Sequence, residues 1–279
     1  QAFDDLTAKA QEMGATTKFT ATESAEAFNY MAMAGWKPQQ MIDGISGIMS
    51  LAAASGEDLG TTSDIVTDAI TAFGLTAGDA GHFADVLAQA SANANTDVSM
   101  LGESFKYVAP VAGAMQYSIE DTSLALGLMA SANVKGSMSG TALKTSIANM
   151  VKPTNDMAEA MDKYGISITD GEGNLKSLKG VIDNVRGSLG GLSRDEQTAV
   201  ASTIFGKEAM AGMLAIVNAS EEDYNKLSNA IYNANDAAEG MADTMLDNLK
   251  GSFTLMQSAI EGTENAFGKR LSPYLRGIA

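Results

Sequence analysis

The hydrophobic and polar positions of the chain recur with a helical period over most of its length, in short stretches that have recognisable starts and stops. Thr20 and Glu23 form a capping-box pattern, in which a hydroxyl and a carboxylate satisfy each other's backbone amides. Phe28 and Met31 follow at helical spacing, and Gly35 interrupts the pattern. The pattern therefore predicts a helix that buries one apolar face and ends before Gly35.

Similar signals predict further helices along the rest of the chain. Pro38 suits the first turn of a helix, and that helix is expected to run to about Ala54. The longest helix is expected from about Ala237 to Phe267, because its apolar positions lie on average 3.6 residues apart, which suits packing on a core. Other helices are expected over about residues 58–73, 78–92, 178–189, 194–205, 207–218 and 221–235.

Two stretches of the chain, residues 23–36 and 101–115, resemble each other. Their spacing indicates a degenerate duplication with a period of about 78 residues, in which each copy is a set of packed helices. Chance similarity within an alanine-rich sequence is the alternative. The aligned residues are Phe28 with Phe105, Tyr30 with Tyr107, Gly35 with Gly113 and, further along, Asp43 with Asp121.

The second copy contains two local signals of its own. Ser118 and Asp121 form a capping pattern at the start of its second helix, and Pro110 is expected to kink the helix before it. If the duplication is real, Gly35 and Gly113 each end a helix at a matching corner. At such a corner a left-handed or close-packed backbone excludes a side chain.

Beyond Tyr164, apolar and polar residues alternate on both sides of residues 170–173. This alternation predicts a small β-hairpin over about residues 166–178. The Asp-Gly-Glu-Gly-Asn string suggests a calcium loop as an alternative, but the spaced ligands and the final bidentate Glu of such a loop are missing. The expected fold is therefore all-α, a compact multi-helix domain with one hairpin, divided into residues 1–152 and 153–279.

The composition excludes several classes of site. The chain has 18 basic and 34 acidic residues, and its net charge of −16 argues against tight binding to nucleic-acid phosphates. It has no cysteine, which excludes disulfides, thiolate metal sites and cysteine nucleophiles. His82 is the single histidine, so no site can use two imidazoles. We expect His82 to be a surface or packing residue of a helix, and the 17 methionines to fill irregular gaps in the core.

Enzymatic and membrane signals are weak as well. The chain contains no phosphate-binding P-loop, zinc-protease or nucleophile-elbow motif. Paired carboxylates of a glycoside hydrolase remain an alternative in principle, but a single tryptophan offers little sugar-binding context. No apolar run approaches the roughly 18 residues of a membrane span, and no signal-peptide pattern opens the chain. We therefore expect no catalytic, cofactor-binding or metal-binding residues and no cofactor.

Residues 14–74 closely resemble the core region of the TP901-type phage tail tape measure protein family. No single motif carries the resemblance, which covers most of the chain in the family's order. The family has no catalytic residue in this region that could be transferred to this chain. Further matching stretches are residues 94–115, 136–154, 164–178, 204–218 and 241–261.

The resemblance implies a structural, non-enzymatic segment of a longer protein that acts in tail assembly and tail-length determination, with a role in genome delivery as an additional expectation. The implied location is the virion tail, in the tube lumen or at the tip, and the host cytoplasm during assembly. Implied partners are a few further copies, the tail tube protein, the tail assembly chaperones and tip or baseplate proteins. The segment itself is expected to bind no nucleic acid directly and to span no membrane. A tail-associated cell-wall hydrolase and a membrane-active helical protein are the alternatives.

Overall fold

The computed structural model describes residues 2–247 together with Met256, Ser258 and Ile260. In this part of the chain the secondary structure consists of fourteen α-helices, one short 3-10 helix at Ala77–Asp79 and one isolated β-bridge. The expected all-α fold is confirmed. The helices are α1 (Ala2–Thr16), α2 (Ala21–Met33), α3 (Pro38–Ser55), α4 (Leu59–Phe73), α5 (Ala80–Asn93), α6 (Val98–Ala114), α7 (Ile119–Ser131), α8 (Ser137–Val151), α9 (Asn155–Tyr164), α10 (Leu178–Leu189), α11 (Arg194–Phe205), α12 (Met210–Asn218), α13 (Glu221–Tyr232) and α14 (Ala237–Leu246).

Local capping chemistry sets many of the helix starts. The Thr20 hydroxyl accepts a hydrogen bond from the Glu23 amide at 3.1 Å, and the Glu23 carboxylate accepts one from the Thr20 amide at 2.8 Å. Pro38 is the first residue of α3, which ends at the left-handed Gly56. These starts and stops were predicted from the sequence because each depends on residues only a few positions apart.

Three helices, α1, α8 and α9, lie outside the stretches for which the pattern predicted a helix. Helix α8 shows why its pattern is weak. Its N-cap is Gly136, which offers no side-chain cap, and its buried face includes Ser139 and Ser146 beside apolar residues. Small polar residues on a buried face dilute the contrast between apolar and polar positions on which prediction depends.

The β-hairpin predicted over residues 166–178 is wrong. The segment contains one bridge, between Thr169 and Leu175, and no named strand. The Asp170 carboxylate accepts two backbone amides of the turn, and the side-chain amide of Asn184 bonds to backbone atoms at the start of the segment. Because side chains satisfy these backbone groups, the segment folds as a loop with a single rung.

The long helix predicted from Ala237 to Phe267 begins as expected with α14. This helix ends at Leu246 and is followed by Asp247 as its C-cap. Beyond Asp247 the prediction lies outside the described residues, except at Met256, Ser258 and Ile260, which are helical.

The chain divides into two compact units. Unit 1 comprises the described residues of Gln1–Thr67, Thr76–Asp85 and Asp236–Ala279, and unit 2 comprises Asp68–Leu75 and Val86–Asn235. This division follows spatial contact. The division after residue 152, which rests on the duplication, stays a prediction.

Each unit has its own apolar core. In unit 1, α1 packs on α2, and both α1 and α14 pack on α3. In unit 2, α6 packs along α8, α13 packs on α7, and α11 contacts α9 and α12. Almost fully buried side chains are Met31, Ile45, Ile48, Met49, Leu51 and Phe83 in unit 1, and Leu87, Leu101, Phe105, Leu124, Val185 and Phe205 in unit 2.

The two glycines expected at matching corners have different roles. Gly35 follows α2 with a φ of 86°, as a helix-ending glycine should. Gly113 lies inside α6, and the corner falls instead at Gln116, whose φ is 57°. A Cβ on Gly113 would lie 2.2 Å from the carbonyl oxygen of Ala72, so this position excludes a side chain by close packing. Pro110 also lies inside α6, and the kink expected there stays a prediction.

Candidate functional site

The single histidine lies on the surface of α5. His82 is exposed, and its charge acts on the carboxylate of Asp79, in the 3-10 helix before α5. The backbone amide and hydroxyl of Thr76 bond to the Asp79 carboxylate and lower its pKa, with His82 contributing less. This acid therefore serves to start a helical turn.

The loop that resembles a calcium site satisfies its own acidic ligand. The Asp170 carboxylate accepts hydrogen bonds from the amides of Asn174 and Glu172, each at 2.9 Å, and these bonds lower its pKa. Both carboxylate oxygens are engaged, because the Asn174 side chain donates to the second one at 3.2 Å. The loop is held by an aspartate that bonds to its own backbone.

Two kinds of site are absent from the part of the chain that the structure describes. Within it, no three His, Asp or Glu side chains come together in a way that could hold a metal ion. Over the same residues, none of the helices combines the length and the hydropathy needed to cross a bilayer.

A buried carboxylate in unit 2 connects three helices. Asp121 lies in the first turn of α7 and is 4% exposed. One of its oxygens accepts the backbone amide of Lys179 at 2.8 Å, at the start of α10, and the other accepts the Tyr232 hydroxyl at the end of α13. The Ser118 hydroxyl caps α7 as predicted, by accepting the Asp121 amide at 3.0 Å. The Asp121 side chain is thus free to satisfy the end of another helix.

Two tyrosines of α13 donate to carboxylates of neighbouring helices. Tyr232 donates to Asp121, and Tyr224 donates to Asp183 of α10. Burial raises the pKa of both phenols, and the bonded carboxylates raise them further because an ionised phenol could not donate. Both phenols therefore stay protonated at neutral pH and act as hydrogen-bond donors.

An arginine of α10 closes the end of α12. The Arg186 guanidinium donates to the carbonyl oxygens of Ile216 at 2.6 Å and Ala219 at 3.1 Å, and it pairs with the Glu221 carboxylate at 2.8 Å. It also stacks over the Tyr224 ring at 4.5 Å. A cation at these carbonyls stabilises the C-terminus of the helix. In the same way, the Asn149 side chain donates to the Phe205 carbonyl oxygen at 2.9 Å, at the end of α11.

Unit 1 contains an apolar groove of about 530 Å³ between α1 and α2. Phe3, at the start of α1, is 79% exposed beside it. The groove offers apolar contact area and few polar groups, so its chemistry is that of packing. Residues along it include Leu6, Ala10, Ala21, Ala25 and Phe28.

No site residue was predicted from the sequence. The hydrogen bonds by which a side chain of one helix satisfies backbone groups at the end of another helix were missed. Ser118 and Asp121 were read as a local capping pattern, which is right for Ser118. The second role of Asp121 depends on Lys179 and Tyr232, which lie 58 and 111 residues away. No local spacing in the sequence carries that information.

Comparison with known proteins identifies the family of this chain. The sequence profile of the family described as phage-related minor tail protein matches residues 7–206. The chain belongs to this family. Family membership makes the chain a phage tail component.

Two proteins similar to this chain are named as tape measure proteins. A tape measure protein of Pneumococcus phage Dp-1 is 37% identical over 270 residues, which cover 97% of this chain and 24% of that protein. A probable tape measure protein of Escherichia phage P2 is 26% identical over 259 residues, which cover 92% of this chain and 32% of that protein. This chain therefore spans about a quarter to a third of the length of these relatives. No solved structure matches it with significance.

Proposed function

We propose that this chain is a structural segment of a tape measure protein, which acts in phage tail assembly and tail-length determination without catalysing a reaction. The observation that supports this most strongly is the 37% identity to a tape measure protein over 97% of the chain. The structure supports a scaffold role, because the polar clusters described above bond helix ends to one another. The alternatives, a cell-wall hydrolase and a membrane-active protein, receive no support from the relatives.

Within this function, the chain acts as a folded docking or initiation module. Fourteen separate helices, many of which have their own capping residues, leave no continuous long helix in the described residues. A length ruler built from one helix would extend by about 1.5 Å per residue, so length is set mainly by other parts of the full protein. The partners are other copies, the tail tube protein, tail assembly chaperones and tip or baseplate proteins. The location is the tail lumen or tip, after assembly in the host cytoplasm.

In-frame deletions in a phage that carries the full gene test this role. Deleting α9 should abort tails or leave their length nearly unchanged, as counted and measured by electron microscopy. A deletion of equal length in a regular helical stretch of the same protein is the control, and it should shorten tails by about 1.5 Å per residue. Tails shortened in that proportion by the α9 deletion would show that this segment is part of the ruler. Normal numbers of normal tails without residues 2–247 would refute a role in assembly.

The non-enzymatic character has a direct test. The purified chain should release no fragments from peptidoglycan and no dye from liposomes of phage-host lipid composition. A known muramidase and a pore-forming peptide are the positive controls. Release in either assay would favour the corresponding alternative.

A further inference from the structure

The charges of the chain are distributed unevenly along it. Of the 34 acidic residues, only Glu120 and Asp121 lie within residues 104–155, a stretch that contains four lysines. The second half of α6 and the whole of α8 therefore carry lysines and no carboxylate. Between Lys226 and Lys250, in contrast, there are four acidic residues and no basic residue. This second stretch contains α14.

Helices α6 and α8 present one basic surface. They pack closely along each other, since a Cβ on Gly140 would lie 2.2 Å from the Ser104 carbonyl oxygen. Further along, the Lys144 ammonium lies 5.9 Å from the centre of the Tyr107 ring, so side chains of the two helices meet on the outer side of the pair. We call this surface the basic face. It consists of Lys106, Tyr107, Lys144, Val151 and Lys152, each of which is exposed or half-buried.

The lysines of the basic face are not neutralised by the chain itself. Among the residues that the structure describes, none of Lys106, Lys144 and Lys152 takes part in an ion pair. Tyr107 is 39% exposed and Val151 is 45% exposed beside them. The face therefore offers apolar contact area together with unpaired positive charge, which favours an acidic partner surface.

The outer side of α14 carries the opposite charge. Glu239, Asp243 and its C-cap Asp247 are exposed and follow one another at intervals of four residues, so they lie on one side of the helix. We call them the acidic row, and none of the three is ion-paired within the described part of the chain. Like charges at this spacing repel each other, and carboxylates near a helix C-terminus face the negative end of its dipole. Cations from another molecule would stabilise this row.

We propose that the basic face of one copy of the chain binds the acidic row of a second copy. Lys144 and Lys152 are eight residues apart on α8, and Glu239 and Asp247 are eight residues apart on α14. Both pairs therefore span about 12 Å along their helix axes, and two ion pairs form when α8 of one copy lies beside α14 of the other. The inference rests on the proposed function, in which other copies are partners.

The two surfaces differ, so the contact is heterologous. Each bound copy still has one basic face or one acidic row free, and assembly continues until a ring closes or a longer array forms. The net charge of −16 opposes this assembly. At 0.15 M salt, however, charges more than about 8 Å apart are largely screened, so the repulsion between whole chains is weak while side chains in contact still attract each other. At about 1 M salt this attraction is screened as well.

Sedimentation equilibrium of the purified chain tests the contact. The average mass should rise with protein concentration at 0.15 M salt and rise less at 1 M salt. Lys144→Glu combined with Lys152→Glu should weaken association at least about tenfold, because like charges then face each other. The matched control combines Lys207→Glu with Lys226→Glu, two exposed lysines outside the basic face. It changes the net charge by the same amount and should alter association less than about twofold.

A mixture of two variants separates a lost contact from a folding defect. Glu239→Lys combined with Asp243→Lys should also prevent association of that variant with itself. Mixed with the Lys144→Glu, Lys152→Glu variant, it should associate again, because each surface of one variant then meets an opposite charge on the other.

A chain that stays monomeric at every concentration would refute the proposal, and so would equal weakening by the control variant or a mixture that does not associate. If the monomeric chain instead bound a DNA duplex through Lys144 and Lys152, the basic face would be a nucleic-acid site and the proposal would be wrong. The proposed function is decided separately, by the number and length of tails after the α9 deletion.

Discussion

The corner between α2 and α3 and the corner between α6 and α7 share one backbone plan. In the first, the Trp36 amide donates to the Met31 carbonyl at 3.0 Å, and in the second the Tyr117 amide donates to the Ala112 carbonyl at 2.9 Å. A left-handed residue precedes each aromatic, and both aromatics are buried. This is the Schellman ending of a helix, in which a left-handed residue lets a later amide reach back.

The two corners differ in what their side chains do. At the first, the Gln40 side chain returns to the Lys37 amide at 2.8 Å and closes its own helix start. Asp121 is the third residue of α7, as Gln40 is of α3. Its side chain does not close its own helix start and bonds instead to α10 and α13. The left-handed residue is a glycine in the first corner and Gln116 in the second. The same helix ending therefore tolerates different residues at its left-handed position. The Asp121 side chain, which does not cap its own helix, provides the long-range hydrogen bonds of the second corner.

The largest expected difference between the corners concerns their glycines. Gly113→Leu should destabilise the protein by more than about 3 kcal/mol, because its Cβ would lie 2.2 Å from the Ala72 oxygen and 2.9 Å from the Phe73 Cα, both backbone atoms. Urea unfolding followed by circular dichroism measures this change. Gly187→Leu is the control, since a Cβ at that helical position meets no atom within 4 Å and should cost little. Equal stability of the two variants would contradict close packing at Gly113.

Removing the connecting carboxylate should have the next largest effect. Asp121→Ala leaves the Lys179 amide and the Tyr232 hydroxyl without their acceptor and should cost about 2–3 kcal/mol of unfolding free energy. Gln40→Ala, at the equivalent position of the first corner, removes one exposed local bond and should cost about 1 kcal/mol or less. Equal losses of unfolding free energy in the two variants would show that Asp121 contributes no more to stability than Gln40.

Gly35→Leu should cost about 1–2 kcal/mol, because a side chain disfavours the left-handed backbone although no atom lies within 4 Å of the added Cβ. The cost is therefore one of backbone conformation. Gly35→Asn tests this cause, since asparagine tolerates the left-handed region, and it should recover part of the loss in the same urea titration. A leucine variant with an unchanged midpoint would show that Gly35 is not needed at this corner.

The smallest effect at neutral pH, about 1 kcal/mol, is expected for Tyr232→Phe, which removes one donor to Asp121. Alkaline pH should reduce this difference in stability between the wild type and the variant. Burial and the Asp121 carboxylate raise the pKa of Tyr232 above its ordinary 10.0, so its stabilising contribution is complete below pH 10 and declines as pH rises further. Unfolding free energies from pH 8 to 11 should fall less steeply in the phenylalanine variant. Parallel curves would contradict the raised pKa.

Local signals in the sequence were enough to predict the fold class and many helix bounds. The Thr20 capping box and the Ser118 cap were correct because all their atoms lie within one helical turn. The hairpin was wrong although its alternation was clear, because the Asn184 side chain bonds to the backbone where a second rung would form. Alternation predicts which residues face a core, and it does not reveal a competing side chain from another element.

The alignment of residues 23–36 with residues 101–115 explains the error at Gly113. Phe28 and Phe105 occupy the same turn of α2 and α6, but α2 has 13 residues and α6 has 17. The additional turn moves the second corner from Gly113 to Gln116. A similarity based on a few residues predicts the start of a helix better than its length. The long-range hydrogen bonds of Asp121, Arg186 and Asp85 were not indicated by any local pattern in the sequence.

The Asp85 carboxylate on α5 accepts the backbone amides of Asp236 and Ala238 at the start of α14, and these bonds affect the order of events during synthesis. Asp236 leaves the ribosome 151 residues after Asp85, and at about 5–20 residues per second this takes roughly 8 to 30 s. During that interval the Val86–Asn235 part of unit 2 is translated, because it lies between Asp85 and Asp236 in the chain. The nascent chain therefore holds an incomplete unit 1, with α3 uncovered by α14, until the inserted unit has emerged.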